Sequence, residues 1–306
     1  FDIPTAAYQR FNNAPKAKAY IREMGAPIVV KADGLAQGKG VVVAYSRDEA
    51  KEAVRQMLEQ RQFGDAGTRV MIEEFLEGEE LTVMAFADGR TVIPMLAAQD
   101  HKRVGEGDTG LNTGGMGAYA PAPLATDALR QRIVRDILSP VVEGLSRVGS
   151  PYYGVLYAGL MIHQGEPYVL EFNARFGDPE TQVVLPLLKT DLYDIMLACI
   201  NGTLDEIEIE WHEGYCSTVV CASPGYPEPY PKGLEISGVE SVENEIVFHA
   251  GTKRENDKLL TNGGRVLAVS ALADTLKSAL EKSYTGVKNI HFDNMHYRTD
   301  IGEIYE

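Results

Sequence analysis

The run Leu170-Glu171-Phe172-Asn173-Ala174-Arg175-Phe176-Gly177-Asp178-Pro179-Glu180-Thr181 places four ionisable side chains and a carboxamide in twelve positions. Pro167-Tyr168-Val169-Leu170 just before it has strand character, and side chains along a strand alternate faces. Glu171 and Asn173 are therefore expected on one face, with Phe172 turned into the core. A carboxylate beside a carboxamide offers hard oxygen ligands suited to Mg²⁺. The same residues would also make an ordinary strand end, two solvated polar groups and a turn at Gly177-Asp178-Pro179, so the rest of the chain has to decide.

Lys31-Ala32-Asp33-Gly34-Leu35-Ala36-Gln37-Gly38-Lys39-Gly40 invites comparison with a P-loop and fails it. The spacing is one residue short, and Gly40 stands where Ser or Thr should hold Mg²⁺. A strand, Val41 to Tyr45, follows where a P-loop needs a helix N-terminus. What remains is a hairpin with a glycine-rich tip between two lysines. Gly34, Gly38 and Gly40 let backbone N–H groups approach phosphate oxygens, and Lys31 and Lys39 add point charges. An ordinary glycine-rich hairpin would read the same way.

Ile72-Glu73-Glu74-Phe75-Leu76-Glu77-Gly78-Glu79-Glu80-Leu81-Thr82 is strand, short turn, strand. Backbone groups near Phe75 and Leu76 could pair with a purine edge, and Glu80 could accept from ribose hydroxyls; a solvated acidic turn is the plainer alternative. Gln99-Asp100-His101-Lys102-Arg103 sets three potentially basic residues together in an acidic chain. They suit a phosphate-bearing substrate, which Arg can bind bidentately. The glycines of Asn112-Thr113-Gly114-Gly115-Met116-Gly117 again permit close backbone approach, unless the segment is simply a solvated loop. His163, His212, His249, His291 and His296 have no partner at metal-ligand or triad spacing and read as structural, as does the lone Trp211.

The elements that must position these residues belong to a chain of 306 residues, 44% hydrophobic and 24% charged, long enough for more than one domain. Forty-four acids against 29 bases give a net charge of −15. That excludes a general nucleic-acid or acidic-membrane surface and leaves anions to local positive sites. Cys199, Cys216 and Cys221 lie in apolar runs without CxxC spacing, as expected of reduced core residues in a cytoplasmic protein. No apolar run is long enough to cross a bilayer. The chain opens at Phe1 without an initiator Met or a signal-like core, and the expectation is a fragment whose N-terminal portion is missing.

Asn13, Pro15 and Gly25 bracket a helix; Pro27 to Lys31 and Val41 to Tyr45 are strands; Ser46 and Glu49 form a capping box for a second helix. From Arg69 the pattern is β: Val70 to Phe75, Leu81 to Phe86 and Thr91 to Met95, with a hairpin signal at Asp88-Gly89. A long loop is expected from Gln99 to Pro123, too long for a mere connector and of the kind that is usually functional or disordered. A helix from Asp127 to Arg147, strands Gly154 to Ile162 and Pro167 to Phe172, and helices Thr181 to Leu188 and Leu192 to Ile200 follow. Beyond Asn201-Gly202-Thr203 come strands Ser217 to Ala222, Ile246 to Ala250 and Val266 to Ser270, then a helix from Leu272 to Tyr284. The class is α+β in three lobes, with boundaries near residues 67 and 202.

Four of these motifs together resemble the ATP-grasp superfamily, and within it the glycinamide ribonucleotide synthetase family. They are Val30 to Ala36 with Gly38 to Val41; Glu73 to Leu76 with Gly78 to Glu80; Gln99 to Arg103 through Asn112 to Tyr119; and Glu171 to Gln182. The hairpin, the glutamate turn and the Glu-x-Asn are widely shared, whereas Gln-Asp-His-Lys-Arg and Arg-Phe-Gly-Asp-Pro-Glu-Thr-Gln are specific. Ser223 to Pro227 and Met295 to Arg298 resemble the family's C-terminal domain, so nearly the whole chain is covered.

The resemblance implies an ATP-grasp fold with a lid lobe (1–67), a large lobe bearing the metal and substrate site (68–202) and a small β-rich C-terminal domain (203–306). It implies ATP and Mg²⁺ or Mn²⁺ as cofactors, and glycine and 5-phosphoribosylamine as substrates, joined through glycyl phosphate in purine biosynthesis. Lys31 and the Gly34 to Gly40 hairpin would close over the phosphates. Glu73, Phe75 and Leu76 would hold adenine and Glu80 the ribose, while Glu171 and Asn173 would bind the metal. Arg175 would meet the glycine carboxylate or acyl phosphate, and Asp178 and Glu180 would position the attacking amine. Asp100, His101, Lys102, Arg103, Asn112, Thr113, Gly114 and Gly115 would serve the sugar-phosphate substrate. Members carry a further N-terminal domain and a lysine shortly before Ile3-Pro4-Thr5-Ala6, both absent here. Many relatives in the superfamily have a second metal-binding acid where this chain has Leu156-Tyr157-Ala158-Gly159-Leu160. Other ATP-grasp ligases or carboxylases, or a nucleotide-binding fragment without turnover, remain the alternatives.

Overall fold

The computed structural model describes residues 1–34 and 40–303. They fall into two units, Pro4–Glu79 and a larger one comprising Phe1–Ile3 and the chain from Glu80 onward.

In the smaller unit Asn13 caps the helix Ala14–Met24, its Oδ1 accepting from the Lys16 N–H at 3.0 Å, and Gly25 ends it. Pro15 lies in the first turn, where its missing N–H leaves no intrahelical bond unmade. Ser46 opens the helix Arg47–Val54 by accepting from the Glu49 N–H, while the Glu49 carboxylate reaches back to the Tyr45 N–H. The two helices cover an antiparallel sheet in the order Tyr8–Phe11, Val70–Glu74, Ile28–Ala32, Val41–Ala44. Ile21, Val30, Val54, Met57, Val70 and Ile72 form its core. Val70–Glu74 pairs on both edges, so the boundary expected near residue 67 falls inside this unit and would part an interior strand from its two neighbours.

The larger unit contains a four-stranded sheet in the order Glu166–Asn173, Tyr153–His163, Glu79–Asp88, Val92–Pro94. Residues 81–88 are all buried, as suits an interior strand. At the hairpin, Asp88 Oδ1 accepts from the N–H groups of Arg90 and Thr91. A helical rod from Asp127 to Arg147 lies against this sheet, sharing its core through Leu129, Ile133, Ile137 and Val142. It widens into a π turn at Val134–Leu138, ahead of Pro140, which has no N–H to donate.

Residues 99–123, expected as a long loop, contain four short strands instead. Gln99–Asp100 and Gly117–Ala120 join Tyr215–Ala222, Arg265–Ala273 and Ile246–His249 in a five-stranded sheet. Arg103–Gly105 and Thr109–Asn112 make a hairpin. The pairing partner of Gly117–Ala120 lies far along the chain, with Ala118 opposite Thr218, so no local periodicity announces it. Strands assigned by sequence to residues 203–306 thus share one sheet with residues 99–120. The last long helix, expected from Leu272, is Leu276–Asn289, because the preceding strand runs on to Ala273 and Thr275 supplies the cap.

Two further expectations are refined. Phe172 is 38% exposed instead of buried: face alternation holds, but its face is uncovered at this end of the edge strand. All three cysteines are buried and free, and burial pushes the Cys216 and Cys221 thiols up to about 12. Among the described residues no helix is long and apolar enough to cross a membrane.

Arg298 ties the C-terminal segment to the 103–112 hairpin. Its guanidinium is sealed between Asp108 at 2.7 Å and Asp300 at 2.6 Å and donates to the Arg103 carbonyl. Arg298→Ala would leave the Asp300 carboxylate poorly compensated, and should lower unfolding free energy by about 3 kcal/mol. Urea titration reads this directly, and an unchanged midpoint would show that the cluster contributes nothing.

Candidate active site

At the end of the strand Glu166–Asn173, the Asn173 amide donates to Glu171 Oε1 at 3.0 Å, so the two side chains do share a face. Glu171 is exposed and Asn173 half-buried. With its Nδ2 turned to Glu171, the Asn173 carbonyl oxygen points away and can serve with the carboxylate as a hard donor pair. Among the described residues no group of three or more His, Cys, Asp or Glu side chains could hold a metal by itself. This donor set fits a divalent ion that completes its coordination with water and phosphate oxygens.

The turn that follows is built on a buried carboxyl group. Glu180 is 2% exposed, and its Oε1 accepts from the Tyr157 hydroxyl at 2.8 Å and the Thr82 hydroxyl at 3.1 Å. A Cβ on Gly177 would lie 2.5 Å from Glu180 Oε2 and 2.9 Å from the Tyr157 ring, so only glycine fits. The same ring lies under Arg175, whose Cζ is 5.6 Å from the ring centroid, and Arg175 also donates to the Phe176 carbonyl at 2.9 Å. One tyrosine therefore holds Arg175 by its face and Glu180 by its hydroxyl. Desolvation raises the Tyr157 pKa, with Glu180 and Asp100 adding to it, so this hydroxyl stays protonated and donates.

Beside this turn, Lys102 is ion-paired with Glu80. Burial pushes the Asp100 carboxyl up to about 7, opposed by Lys102 and reinforced by Glu180 and Glu80. Burial alone would lower the Lys102 pKa, but Asp100 and Glu80 hold it well above its ordinary value. His101 is buried, stacked at a tilt on Tyr119, with Nε2 accepting from the Gly302 N–H at 3.3 Å. Burial, with Arg298 adding, pulls its pKa down to about 4. His101 is therefore a neutral imidazole facing the interior and lacks the cationic character expected of it. Arg103 donates to the Gly110 carbonyl at 2.7 Å, and exposed Asn112 pairs opposite it. Thr113 bonds the Lys102 carbonyl through both its N–H and its hydroxyl.

In the smaller unit, Lys31 is paired with Glu73 at 2.6 Å, both little exposed. Lys31 and Glu73 thus work as a pair, which removes Glu73 from free contact with a base. The Gly34 N–H donates to the Ala66 carbonyl, and a Cβ there would lie 2.5 Å from the Ala66 Cα. Gly40 accepts from the Ala32 N–H at 2.8 Å. The ladder ends at Glu74, and Phe75 and Leu76 continue outside it, which leaves their backbone groups out of sheet pairing. Tyr45 meets the Phe75 ring edge-on at 5.9 Å. Gly38 and Lys39 lie outside the described residues.

Thr82, Tyr157, Tyr226 and Arg265 were not anticipated from sequence. A tyrosine in the otherwise apolar run Val155 to Leu160 is a usable signal, because a buried phenol needs a partner. Nothing local marks Arg265.

Comparison with known proteins bears on the whole chain. The ATP-grasp (A) domain of phosphoribosylglycinamide synthetase matches residues 1–181, and the C domain of the same family matches residues 216–304. The chain is 52% identical to the phosphoribosylamine–glycine ligase of Pasteurella multocida, over 98% of this chain and 70% of that protein. It is 50% identical to the bifunctional purine biosynthetic protein PUR2,5 of Pichia angusta, over 98% of this chain but only 38% of that protein. Among solved structures, the Thermotoga maritima phosphoribosylamine–glycine ligase superposes with a TM-score of 0.90 at 35% identity, covering 97% of this chain and 74% of that one. The biotin carboxylase domain of Hydrogenobacter thermophilus 2-oxoglutarate carboxylase shares the fold alone, with a TM-score of 0.70 at 16% identity over 96% of this chain and 64% of that one.

The depressed His101 pKa sets a pH dependence. An ordinary value of 6.5 falls to about 4 in the folded chain, so folding favours the neutral ring. That stabilisation is complete above pH 6.5 and is lost as pH falls toward 4. Urea midpoints of wild type and His101→Gln between pH 7 and 4.5 should converge as pH falls; a constant difference would contradict the depressed pKa.

Proposed function

The chain belongs to the phosphoribosylglycinamide synthetase family of ATP-dependent ligases, and from that premise we propose that it joins glycine to 5-phosphoribosylamine. The products are glycinamide ribonucleotide, ADP and phosphate, a step of purine biosynthesis. The observation that carries this reading is the continuity of one segment: a hard-donor pair, Glu171 and Asn173, runs directly into a turn that presents Arg175 on a fixed aromatic platform. ATP chemistry and carboxylate recognition are thereby adjacent along one strand end.

A glycine carboxylate oxygen attacks the γ-phosphorus of ATP, the bond to the leaving ADP oxygen breaks, and glycyl phosphate forms. The amine nitrogen of phosphoribosylamine then attacks the acyl carbon, the carbon–oxygen bond to phosphate breaks, and the amine loses a proton. No covalent bond to the protein is needed, so the side chains position groups, neutralise charge and exclude water. Lys31, aimed by Glu73, is assigned to the phosphates, as are Gly34 and Gly40. Phe75 and Leu76 offer backbone groups to adenine, and Glu80 is assigned to the ribose. Glu171 and Asn173 would hold Mg²⁺ or Mn²⁺, which when bound offsets the negative charge of the phosphate oxygens.

Arg175 is assigned to the glycine carboxylate or the acyl phosphate. Its planar fork suits either anion, and among the described residues no carboxylate already occupies it. Asp178 and Glu180, which the family resemblance sets on the amine, are engaged within the fold: Asp178 by Gln182 and Arg265, and Glu180 Oε1 by two hydroxyls. They serve the site by shaping the turn. Lys102, Arg103 and the loop at Asn112 to Gly115 are assigned to the phosphoribosylamine side, with Asp100 tuning Lys102.

Phosphate release from ATP that requires both glycine and phosphoribosylamine is the expected result. A different acid requirement would identify another ligase, and nucleotide binding without release would identify a binding chain without turnover. In the active protein, Glu171→Gln should lower turnover about 10² to 10³-fold, the scale for one preorganised electrostatic group. Arg175→Lys should raise the KM for glycine or lower kcat by losing the planar fork; wild-type kinetics in either variant would remove that residue from the site.

A further inference from the structure

Two residues from beyond the large lobe's expected boundary reach the substrate loops. Arg265 starts the strand Arg265–Ala273, and its position is fixed from behind: its carbonyl accepts from the Gly251 N–H at 2.9 Å, where Gly251 and Gly263 pack too closely for any Cβ. From there its guanidinium donates to the carbonyls of Gly114 at 2.8 Å and Asp178 at 2.9 Å, and to the Asp178 carboxylate at 3.0 Å. The Gly114 N–H donates in turn to the Tyr226 hydroxyl at 2.9 Å. Gly114 is thus gripped at both its N–H and its C=O, and Asp178 at both backbone and side chain.

The grip explains the residue types around it. A Cβ on Gly114 would lie 2.8 Å from the Arg265 guanidinium carbon, and one on Gly115 would lie 2.3 Å from the Pro179 ring. Gly115 also sits at φ +114°, a conformation other residues rarely adopt. Two glycines are therefore needed for the loop to close onto the Asp178-Pro179 turn. The Tyr226 ring is seated against Gly264, where a Cβ would lie 2.2 Å away.

We infer that Tyr226 and Arg265 form a positioning clamp that sets the spacing between the Asn112–Gly115 loop and the Asp178–Glu180 turn, and so governs use of the amine substrate. Neither residue is placed on a reacting atom. The inference rests on the ligase reading above for the identity of that substrate. A guanidinium suits this position because three of its donors meet two carbonyls and a carboxylate in one plane, which a lysine ammonium cannot reproduce. Misplacement of a substrate-bearing loop by about 1 Å is enough to cost roughly 10²-fold in rate.

The test compares Arg265→Met, Arg265→Lys and Tyr226→Phe with wild type in two readouts. In steady-state kinetics, Arg265→Met should raise the KM for phosphoribosylamine tenfold or more and leave the KM for ATP within twofold, with partial rescue by millimolar guanidinium. Tyr226→Phe should show a smaller shift of the same kind. Unchanged KM values, or an equal rise for all substrates, would overturn the clamp. Amide exchange separates its failure from failure of the ligase reading. Where wild type shows no amine-dependent phosphate release, faster exchange confined to residues 113–116 and 177–180 in Arg265→Met still supports the clamp. Wild-type exchange there, or acceleration across the whole unit, overturns it.

Discussion

A carboxyl group sealed from water is costly unless it is hydrogen-bonded, and at Glu180 two hydroxyls drawn from different strands converge on Oε1. Thr82 comes from Glu79–Asp88 and Tyr157 from Tyr153–His163. Because both donors are fixed in the sheet, the turn carrying Glu180 has one place to lie. The close approach at Gly177 follows from that placement, and the Tyr157 ring that helps to fix it also seats Arg175. Removing both hydroxyls would leave Glu180 Oε1 buried without either partner, so polar satisfaction helps to specify the turn.

A strongly negative chain must also hold its few cations in place among many acids. Lys31, Lys102 and Arg265 are each held by a carboxylate, from Glu73, Glu80 and Asp178 respectively. Such pairing fixes the direction of a flexible side chain before any ligand arrives, at the cost of reducing its net charge. Arg175 is arranged differently: its partners are a ring face and a carbonyl, both neutral. Its charge is offset by no carboxylate among the described residues, which is what the role proposed for it requires. Within the larger unit, Lys102 and Arg265 are thus held in ion pairs, whereas Arg175 is seated on a neutral ring.

Local features of this chain were legible where the physics is local. Caps at Asn13 and Ser46, the Asp88-Gly89 hairpin and the shared face of Glu171 and Asn173 all follow from short-range rules, and each is present. What sequence could not show depends on partners far along the chain. Residues 99–123 looked like a loop because Gly117–Ala120 pairs with Tyr215–Ala222. His101 looked like a phosphate ligand because nothing nearby in sequence reveals that Gly302 and Tyr119 enclose it. Asp178 and Glu180 looked catalytic for the same reason, since Arg265, Tyr157 and Thr82 occupy them from other strands. The motif set these residues together in sequence, while long-range contacts decided which of their side chains are already engaged within the fold.

The central claim is that this segment activates a carboxylate by phosphorylating it, with Arg175 meeting the product of that step. Glycine carrying ¹⁸O in both carboxylate oxygens tests it most directly. Turnover through glycyl phosphate transfers one labelled oxygen from glycine to each phosphate released, and mass spectrometry of that phosphate should show the label in step with product. Formation of product with unlabelled phosphate would contradict the account, because the carboxylate oxygen would never have become bonded to phosphorus.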